Sequence, residues 1–162
     1  NFPADLNTAQ TGLVSFGQYD LRTTPLQMAM ITSAIANQGI IYSPQMIDRV
    51  VSNNLELLSD PQPQVFGSPI SQSTAGLLTQ MMFESVEIGA AGNAKIPGMA
   101  VAGKTGTAEN GIGQPYTYWF TGFAPAENPE LVVTVVIEGV DQSGTGNSRA
   151  APVGRRILES VR

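Results

Sequence analysis

The sequence predicts an α+β fold in which antiparallel strands pack against helices. Residues 1–98 carry apolar residues mostly at helical spacing, and we expect this part to be mostly helical with one small hairpin. Residues 99–162 instead contain three strand-like apolar runs followed by a helical pattern. The runs are 99–107, 116–123 and 131–140. Because consecutive strands joined by short loops usually pair, we expect an antiparallel meander and a C-terminal helix.

Two long helices are predicted in the first part of the chain. Thr24-Pro25 is an N-cap followed by a proline suited to the first helical turn, and Asn37-Gln38-Gly39 marks the end of that helix. Its apolar residues leave only a thin polar stripe, so we expect it to be mostly buried. The second helix begins after Ser71 and ends at Gly89. Its apolar residues at helical spacing are Leu77, Leu78, Met81, Met82 and Val86.

Shorter elements are predicted for the rest of the chain. Residues 46–51 and 55–58 are expected to form a hairpin with Ser52-Asn53-Asn54 as its turn. The last helix is expected to cover one face of the sheet, because its apolar residues fall on one side. These residues are Ala150, Val153, Ile157, Leu158 and Val161.

Composition limits the chemistry available to the chain. Its 162 residues are 42% hydrophobic and 13% charged, which suits one domain with a single core. A net charge of −5 with scattered basic residues argues against nucleic acid as a partner. The sequence contains no cysteine and no histidine, so the usual zinc sites and a Ser-His-Asp triad are excluded, and we expect no metal or cofactor. A lysine base would have to be Lys95 or Lys104.

The sequence was searched for a membrane-spanning segment and for a targeting signal. The longest strongly apolar run, 131–137, is too short to span a bilayer, and the N-terminus has no export signal. The first residue is Asn1 rather than methionine, which suggests a processed, cleaved or truncated product. We therefore expect any targeting signal to lie upstream of this chain.

The sharpest motif is Gly-Lys-Thr-Gly-Thr at residues 103–107. Residues 98–105 also match the P-loop pattern of nucleotide-binding proteins, Gly-x-x-x-x-Gly-Lys-Thr. A P-loop needs a buried strand before its first glycine and a helix that starts at its lysine. The flanking residues, among them Pro97 and Pro115, oppose both elements. We therefore predict that Lys104 lies on a strand, with its side chain opposite to that of the next residue.

Lys104-Thr105-Gly106 is also one of three signature elements of the active-site serine enzymes that bind penicillin. Several further segments resemble the monofunctional, class B penicillin-binding proteins in the same order. They are Phe16-Gly-Gln18 with Thr24–Gln27 and Ala34–Gly39, then Val101–Ala108, Phe120–Ala126, Leu131–Ile137 and Ala150–Val153. The resemblance implies that residues 1–162 are the C-terminal portion of a single transpeptidase domain with the penicillin-binding and serine beta-lactamase-like fold.

The resemblance further implies a role in peptidoglycan cross-linking. In this family a serine attacks the carbonyl between two D-alanines of a stem peptide, and beta-lactams imitate that substrate and stall as the acyl-enzyme. Carried over by motif position, Lys104 is a protonated neighbour of the second-motif serine, and the Thr107 backbone N–H is half of the oxyanion hole. Thr105 and Thr107 would bind the substrate carboxylate, Gly106 would leave room for its approach, and Trp119 would line the cleft.

The nucleophile itself is absent from the sequence. No serine is followed by a lysine three residues later, so Ser-x-x-Lys and the second motif, Ser-x-Asn, would belong to an upstream segment of the same domain. We expect this chain alone to be inactive. The whole protein is expected to act on stem peptides ending in D-Ala-D-Ala, in cell shape or division, anchored at the extracytoplasmic face of the bacterial membrane. Alternatives are a beta-lactam sensor, a D,D-carboxypeptidase-like module and, from another class, a P-loop nucleotide-binding protein.

Overall fold

A three-stranded antiparallel sheet forms the centre of the structure. The computed structural model describes residues 3–139 and 141–161, so the predicted end of the last strand at Val140 lies outside the described residues. The helices are α1 (Thr8–Ser15), α2 (Pro25–Ala36), α3 (Gln72–Glu87), α4 (Gly146–Arg149) and α5 (Ala151–Leu158). The strands are β1 (Ile41–Tyr42), β2 (Val50–Val51), β3 (Leu57–Ser59), β4 (Val65–Gly67), β5 (Ala102–Ala108), β6 (Thr117–Ala124) and β7 (Leu131–Ile137). The sheet has the order β5-β6-β7, which confirms the predicted meander and the α+β class.

Helices cover both faces of this sheet. Because side chains alternate along a strand, Phe120 and Thr121 of β6 point to opposite faces. Phe120 packs against Gly154 of α5, as expected for a final helix that covers the sheet. Thr121 lies on the α2 side, where its hydroxyl is 2.6 Å from that of Thr32. The central strand is therefore buried from both directions.

Helix α3 lies beside the first part of β5. Ser71 caps it by accepting a hydrogen bond from the Thr74 N–H, as its position before an apolar run predicts. Met82 packs with Ala102 of β5, and Val86 approaches the neighbouring Gly103. The helix thus covers the start of β5 and leaves the end of that strand uncovered.

The prediction that α2 is mostly buried is wrong in part, and α3 also has exposed apolar residues. In α2, Thr32 and Ala34 are buried, whereas Leu26 and Ile31 are 56% and 50% exposed. In α3, Leu77 and Met81 are exposed as well. Only the side of each helix that meets the sheet is covered by the described residues. The remaining apolar surfaces face outward.

The closing helix also differs from its predicted face. Val153 and Ile157 are exposed, and the buried positions of this region are mostly small residues. These are Ala150, Ala151, Gly154 and Leu158. Small residues allow the helix backbone to approach the Phe120 ring, which explains the difference. The Val161 side chain lies outside the described residues.

The hairpin around Ser52-Asn53-Asn54 is confirmed, with β2 and β3 paired antiparallel. The Ser52 N–H donates to the Glu56 carbonyl, and the Leu55 N–H donates to the Ser52 carbonyl. Ser52-Asn53-Asn54, which matches Ser-x-Asn by letters, is therefore a turn. The pairing of β1 with β4 and the helix α1 were not predicted. Among the described residues, no helix combines the length and hydropathy that crossing a bilayer requires.

Replacing Gly154 by alanine is expected to destabilise the fold. A Cβ at this position would overlap the fully buried Phe120 ring, and overpacking of a core costs about 1–3 kcal/mol. Gly76→Ala in α3 is the matched control, because nothing lies within 4 Å of its Cβ position and alanine favours a helix by about 1 kcal/mol. Thermal unfolding of both variants measures the difference. Equal stability of Gly154→Ala and Gly76→Ala would contradict this packing.

Candidate active site

The Gly-Lys-Thr-Gly-Thr motif lies on β5, the edge strand of the sheet. Lys104, Gly106 and their neighbours line a cleft of about 1240 Å³, whose opposite wall is the connection from α1 to α2. The lysine is followed by strand residues up to Ala108 and by a turn, not by a helix. The context that a P-loop requires is therefore missing, as the flanking residues predict.

Lys104 is exposed and lies on a strand, as predicted. Its partner across the sheet is Thr121, and Gly106 is paired with Trp119, so these residues share one face. The Lys104 ammonium bends to the strand edge and donates to the carbonyl of Thr105 at 2.7 Å. This places a positive charge at the uncovered edge of β5.

The two threonines of the motif have different hydrogen bonds. The Thr105 hydroxyl donates to the Ala90 carbonyl at 3.1 Å, so its proton is committed within the chain. The Thr107 hydroxyl accepts from the Gly146 N–H at 3.0 Å, which leaves its own proton available for a ligand. Of the two hydroxyls, that of Thr107 is therefore the one whose proton is not already donated within the chain.

The Thr107 backbone faces away from the rest of the sheet. Its carbonyl accepts a hydrogen bond from the side-chain amide of Gln18, with Nε2 and the carbonyl oxygen 3.1 Å apart. In an antiparallel pair, residues alternate between exchanging both backbone bonds with the partner and exchanging neither. The Thr107 N–H is thus expected to point to the same open edge as its carbonyl.

A polar network holds the loop that carries Gly146. The Asp141 carboxylate is 3.0 Å from Arg149, accepts from the Ser143 N–H at 2.8 Å and accepts from the Tyr118 hydroxyl at 3.2 Å. Hydrogen bonds from Ser143, with smaller contributions from Tyr118 and Arg149, lower the pKa of Asp141. Burial is the main cause that raises the pKa of Tyr118. The network therefore keeps an ionised carboxylate and a protonated phenol beneath the loop.

The other residues on and near β6 separate into two groups. Trp119 and Glu109 line the cleft, whereas Tyr118 is fully buried and packs in the core. Thr117 and Thr121 are buried within the sheet, although both touch the cleft. Thr121 bonds the Thr134 hydroxyl at 2.7 Å as well as Thr32.

Sequence reasoning missed Gln18 and Gly146 as site residues. Gln18 stood inside the segment Phe16-Gly-Gln18, which carries part of the family resemblance, but its contact joins positions 89 apart. Gly146 contacts a residue 39 positions away. No local pattern encodes such contacts.

Comparison with known proteins supports the motif assignment. Residues 3–159 match the family model described as the penicillin-binding protein transpeptidase domain. The chain therefore belongs to the penicillin-binding protein transpeptidase family, and the resemblance to its class B members is confirmed.

Individual relatives agree with this membership. The chain is 36% identical over 161 residues to the peptidoglycan D,D-transpeptidase PbpA of Mycolicibacterium smegmatis, covering 96% of this chain and 33% of that protein. It is 31% identical over 165 residues to MrdA of Haemophilus influenzae, covering 90% and 25%. The ceftriaxone acyl-enzyme complex of penicillin-binding protein A from Mycobacterium tuberculosis superposes with a TM-score of 0.88 at 35% identity, covering 95% of this chain and 36% of that chain. The chain thus spans about a third of its relatives or less.

Acid is expected to weaken the Asp141 network. The pKa of Asp141 is lower in the folded protein than in the unfolded chain, where it is about 3.9. The ionised carboxylate therefore stabilises the fold above the unfolded pKa, and this stabilisation is lost as the pH falls through the folded pKa. We expect Asp141→Asn to lower the thermal midpoint at pH 7 and to differ less from the parent protein below pH 4. Thermal unfolding at several pH values measures this difference. A gap of constant size down to pH 3 would show that the Asp141 charge is not involved.

Proposed function

We propose that this chain supplies the lysine-threonine side of the active site of a serine-type peptidoglycan D,D-transpeptidase. One observation carries the proposal: the end of edge strand β5 brings the cation of Lys104 and the outward-facing backbone of Thr107 to one open cleft. Fixed N–H donors and a nearby cation suit a carboxylate-bearing substrate and a developing oxyanion. Solved relatives include acyl-enzyme complexes with ceftriaxone, imipenem and penicillin G, which supports the same chemistry for this chain.

Each motif residue has a distinct role in this proposal. Lys104 supplies the positive charge beside the second-motif serine, and the Thr107 N–H supplies half of the oxyanion hole. The Thr107 hydroxyl donates to the substrate carboxylate, whereas Thr105 must first release the Ala90 carbonyl to do so. Gly106 has no side chain to obstruct a ligand beside Trp119; a Cβ at Gly106 would lie 3.4 Å from the Trp119 Cβ.

An upstream segment of the same protein completes the site. It carries the nucleophile in Ser-x-x-Lys and the second motif Ser-x-Asn, and it anchors the protein at the extracytoplasmic face of the membrane. The outward apolar residues of α2 and α3 support such a partner, because apolar surface is stabilised by burial at roughly 25 cal/mol per Å². These residues are Leu26 and Ile31 on α2 and Leu77 and Met81 on α3.

Fluorescent penicillin tests the proposal. The protein produced from the whole gene is expected to become labelled on one serine, which mass spectrometry should locate in a Ser-x-x-Lys sequence before residue 1. The 162-residue chain alone is expected to stay unlabelled, because it lacks that motif. Absence of labelling in the whole protein, or a label on a serine of this chain, would refute the proposed division of the site.

Thr107→Pro is expected to slow acylation of the whole protein by about a hundredfold to a thousandfold, because proline removes the N–H and one oxyanion donor is worth that factor. The matched control is Thr107→Val, which loses the hydroxyl but keeps the N–H. Proline at an outward-facing edge position removes no bond of the β5–β6 ladder. Rapid-quench measurement of the acylation rate separates the two variants. Equal rates would mean that the Thr107 N–H does not stabilise the oxyanion.

A further inference from the structure

Gln18 belongs to a tightly bonded turn at the end of α1. The Gly17 N–H donates to the Val14 carbonyl at 3.1 Å and the Gln18 N–H donates to the Leu13 carbonyl at 3.0 Å. Gly17 has a φ of +86°, a conformation that glycine adopts without strain. Val14 is buried, so the turn is attached to the body of the protein. The backbone of Gln18 is therefore fixed before its side chain reaches the cleft.

The side chain of Gln18 ends at the open edge of the motif strand, near the end of β5. Gln18 is half-buried in a segment of mostly exposed residues, and its amide donates to the Thr107 carbonyl at 3.1 Å. β5 ends one residue later, at Ala108, and Gly106 precedes Thr107. An edge strand that ends beside a glycine has few constraints of its own. The hydrogen bond from Gln18 replaces the missing neighbour strand at this position.

Thr107 is thus held from two sides. Gln18 fixes its carbonyl from the cleft wall, and Gly146 fixes its hydroxyl from the opposite side of the strand. Since the carbonyl and the N–H of one strand residue point to the same edge, an interaction that fixes the carbonyl also limits the direction of the N–H. The geometry of Thr107 therefore depends on a side chain that lies outside the motif.

We propose that Gln18 is a positioning residue that aims the Thr107 N–H into the cleft by holding the Thr107 carbonyl. The inference rests on the proposed function for its catalytic consequence, although the hydrogen bond itself can be tested without catalysis. Gln18 does not exchange a proton in this role. Its contribution is to lower the freedom of the last peptide units of β5, so that an N–H donor is already in place when negative charge develops.

Gln18→Glu in the whole protein gives the sharpest test. The variant side chain has nearly the same shape, but its ionised carboxylate cannot donate to the Thr107 carbonyl. At pH 8 we expect the first-order acylation rate constant for a beta-lactam to fall about tenfold, which corresponds to the free energy of one hydrogen bond. The dissociation constant of the initial complex should change less than about twofold. Lowering the pH to 5 should recover part of the loss relative to the parent protein, because a protonated carboxyl can donate again. Gln114→Glu is the matched control, since it adds the same charge near the cleft without a side-chain bond to β5.

Hydrogen exchange supplies a readout that is independent of acylation. The amides of residues 106–108 are expected to exchange faster in Gln18→Glu at pH 8 than in the parent protein or in Gln114→Glu, while the core strand β6 stays unchanged. A parent protein that beta-lactams do not acylate would refute the proposed function, and the exchange data would still decide on Gln18. Unchanged exchange and acylation in Gln18→Glu would overturn the positioning role. A weakened initial complex with a normal acylation rate constant would also overturn it, because Gln18 would then contact the ligand directly. An equal loss of rate at both pH values, together with general destabilisation of the protein, would overturn it as well.

Discussion

The packing of one aromatic ring, that of Phe120, sets the distances between sheet and helices. The ring is fully buried, and a Cβ at Gly103 would lie 2.7 Å from it, a Cβ at Gly122 would lie 2.9 Å from it, and one at Gly154 would overlap it. Carbon atoms are in optimal contact at about 3.5–4.0 Å, so none of the three positions accepts a side chain without moving the ring. The first glycine of Gly-Lys-Thr-Gly therefore belongs to the core. The glycine that completes the P-loop match by letters thus has a packing role, and the lysine after it lies on a strand and not at the start of a helix.

The same packing determines where the motif residues lie. Phe120 is paired with Thr105, so the close approach of α5 to the ring occurs directly behind the motif. Eight residues before Gly154, Gly146 at the start of α4 lies so close to the sheet that a Cβ there would be 2.6 Å from the Trp119 carbonyl oxygen. Its N–H reaches the Thr107 hydroxyl because no side chain intervenes. Core packing and the hydrogen bond to Thr107 therefore both depend on glycines in the adjoining helices α4 and α5.

Local signals in the sequence predicted the elements that are determined locally. Thr24 and Ser71 each accept a bond from an N–H three residues later, and both helix starts were predicted from these caps. The equivalent cap at Asn7 was overlooked, because the eight residues of α1 contain too few apolar positions to show a period. Burial was predicted less well, since helical periodicity identifies an apolar face but not what covers it. Leu26 and Val153 are exposed for different reasons: the described residues leave α2 partly uncovered, and the Phe120 ring draws the small residues of α5 inward.

The candidate site shows the same division between local and distant information. The flanking glycines and prolines oppose a helix and predicted that Lys104 lies on a strand, which is confirmed. The catalytic role of Lys104 remains a prediction. The orientation of Thr107, in contrast, depends on Gln18 and Gly146, two common residue types that composition and spacing cannot single out. A tripeptide can therefore single out a candidate active-site strand while leaving its geometry undetermined. The residues that determine that geometry lie on separate elements, which is why they become recognisable only when the fold brings them to the edge of β5.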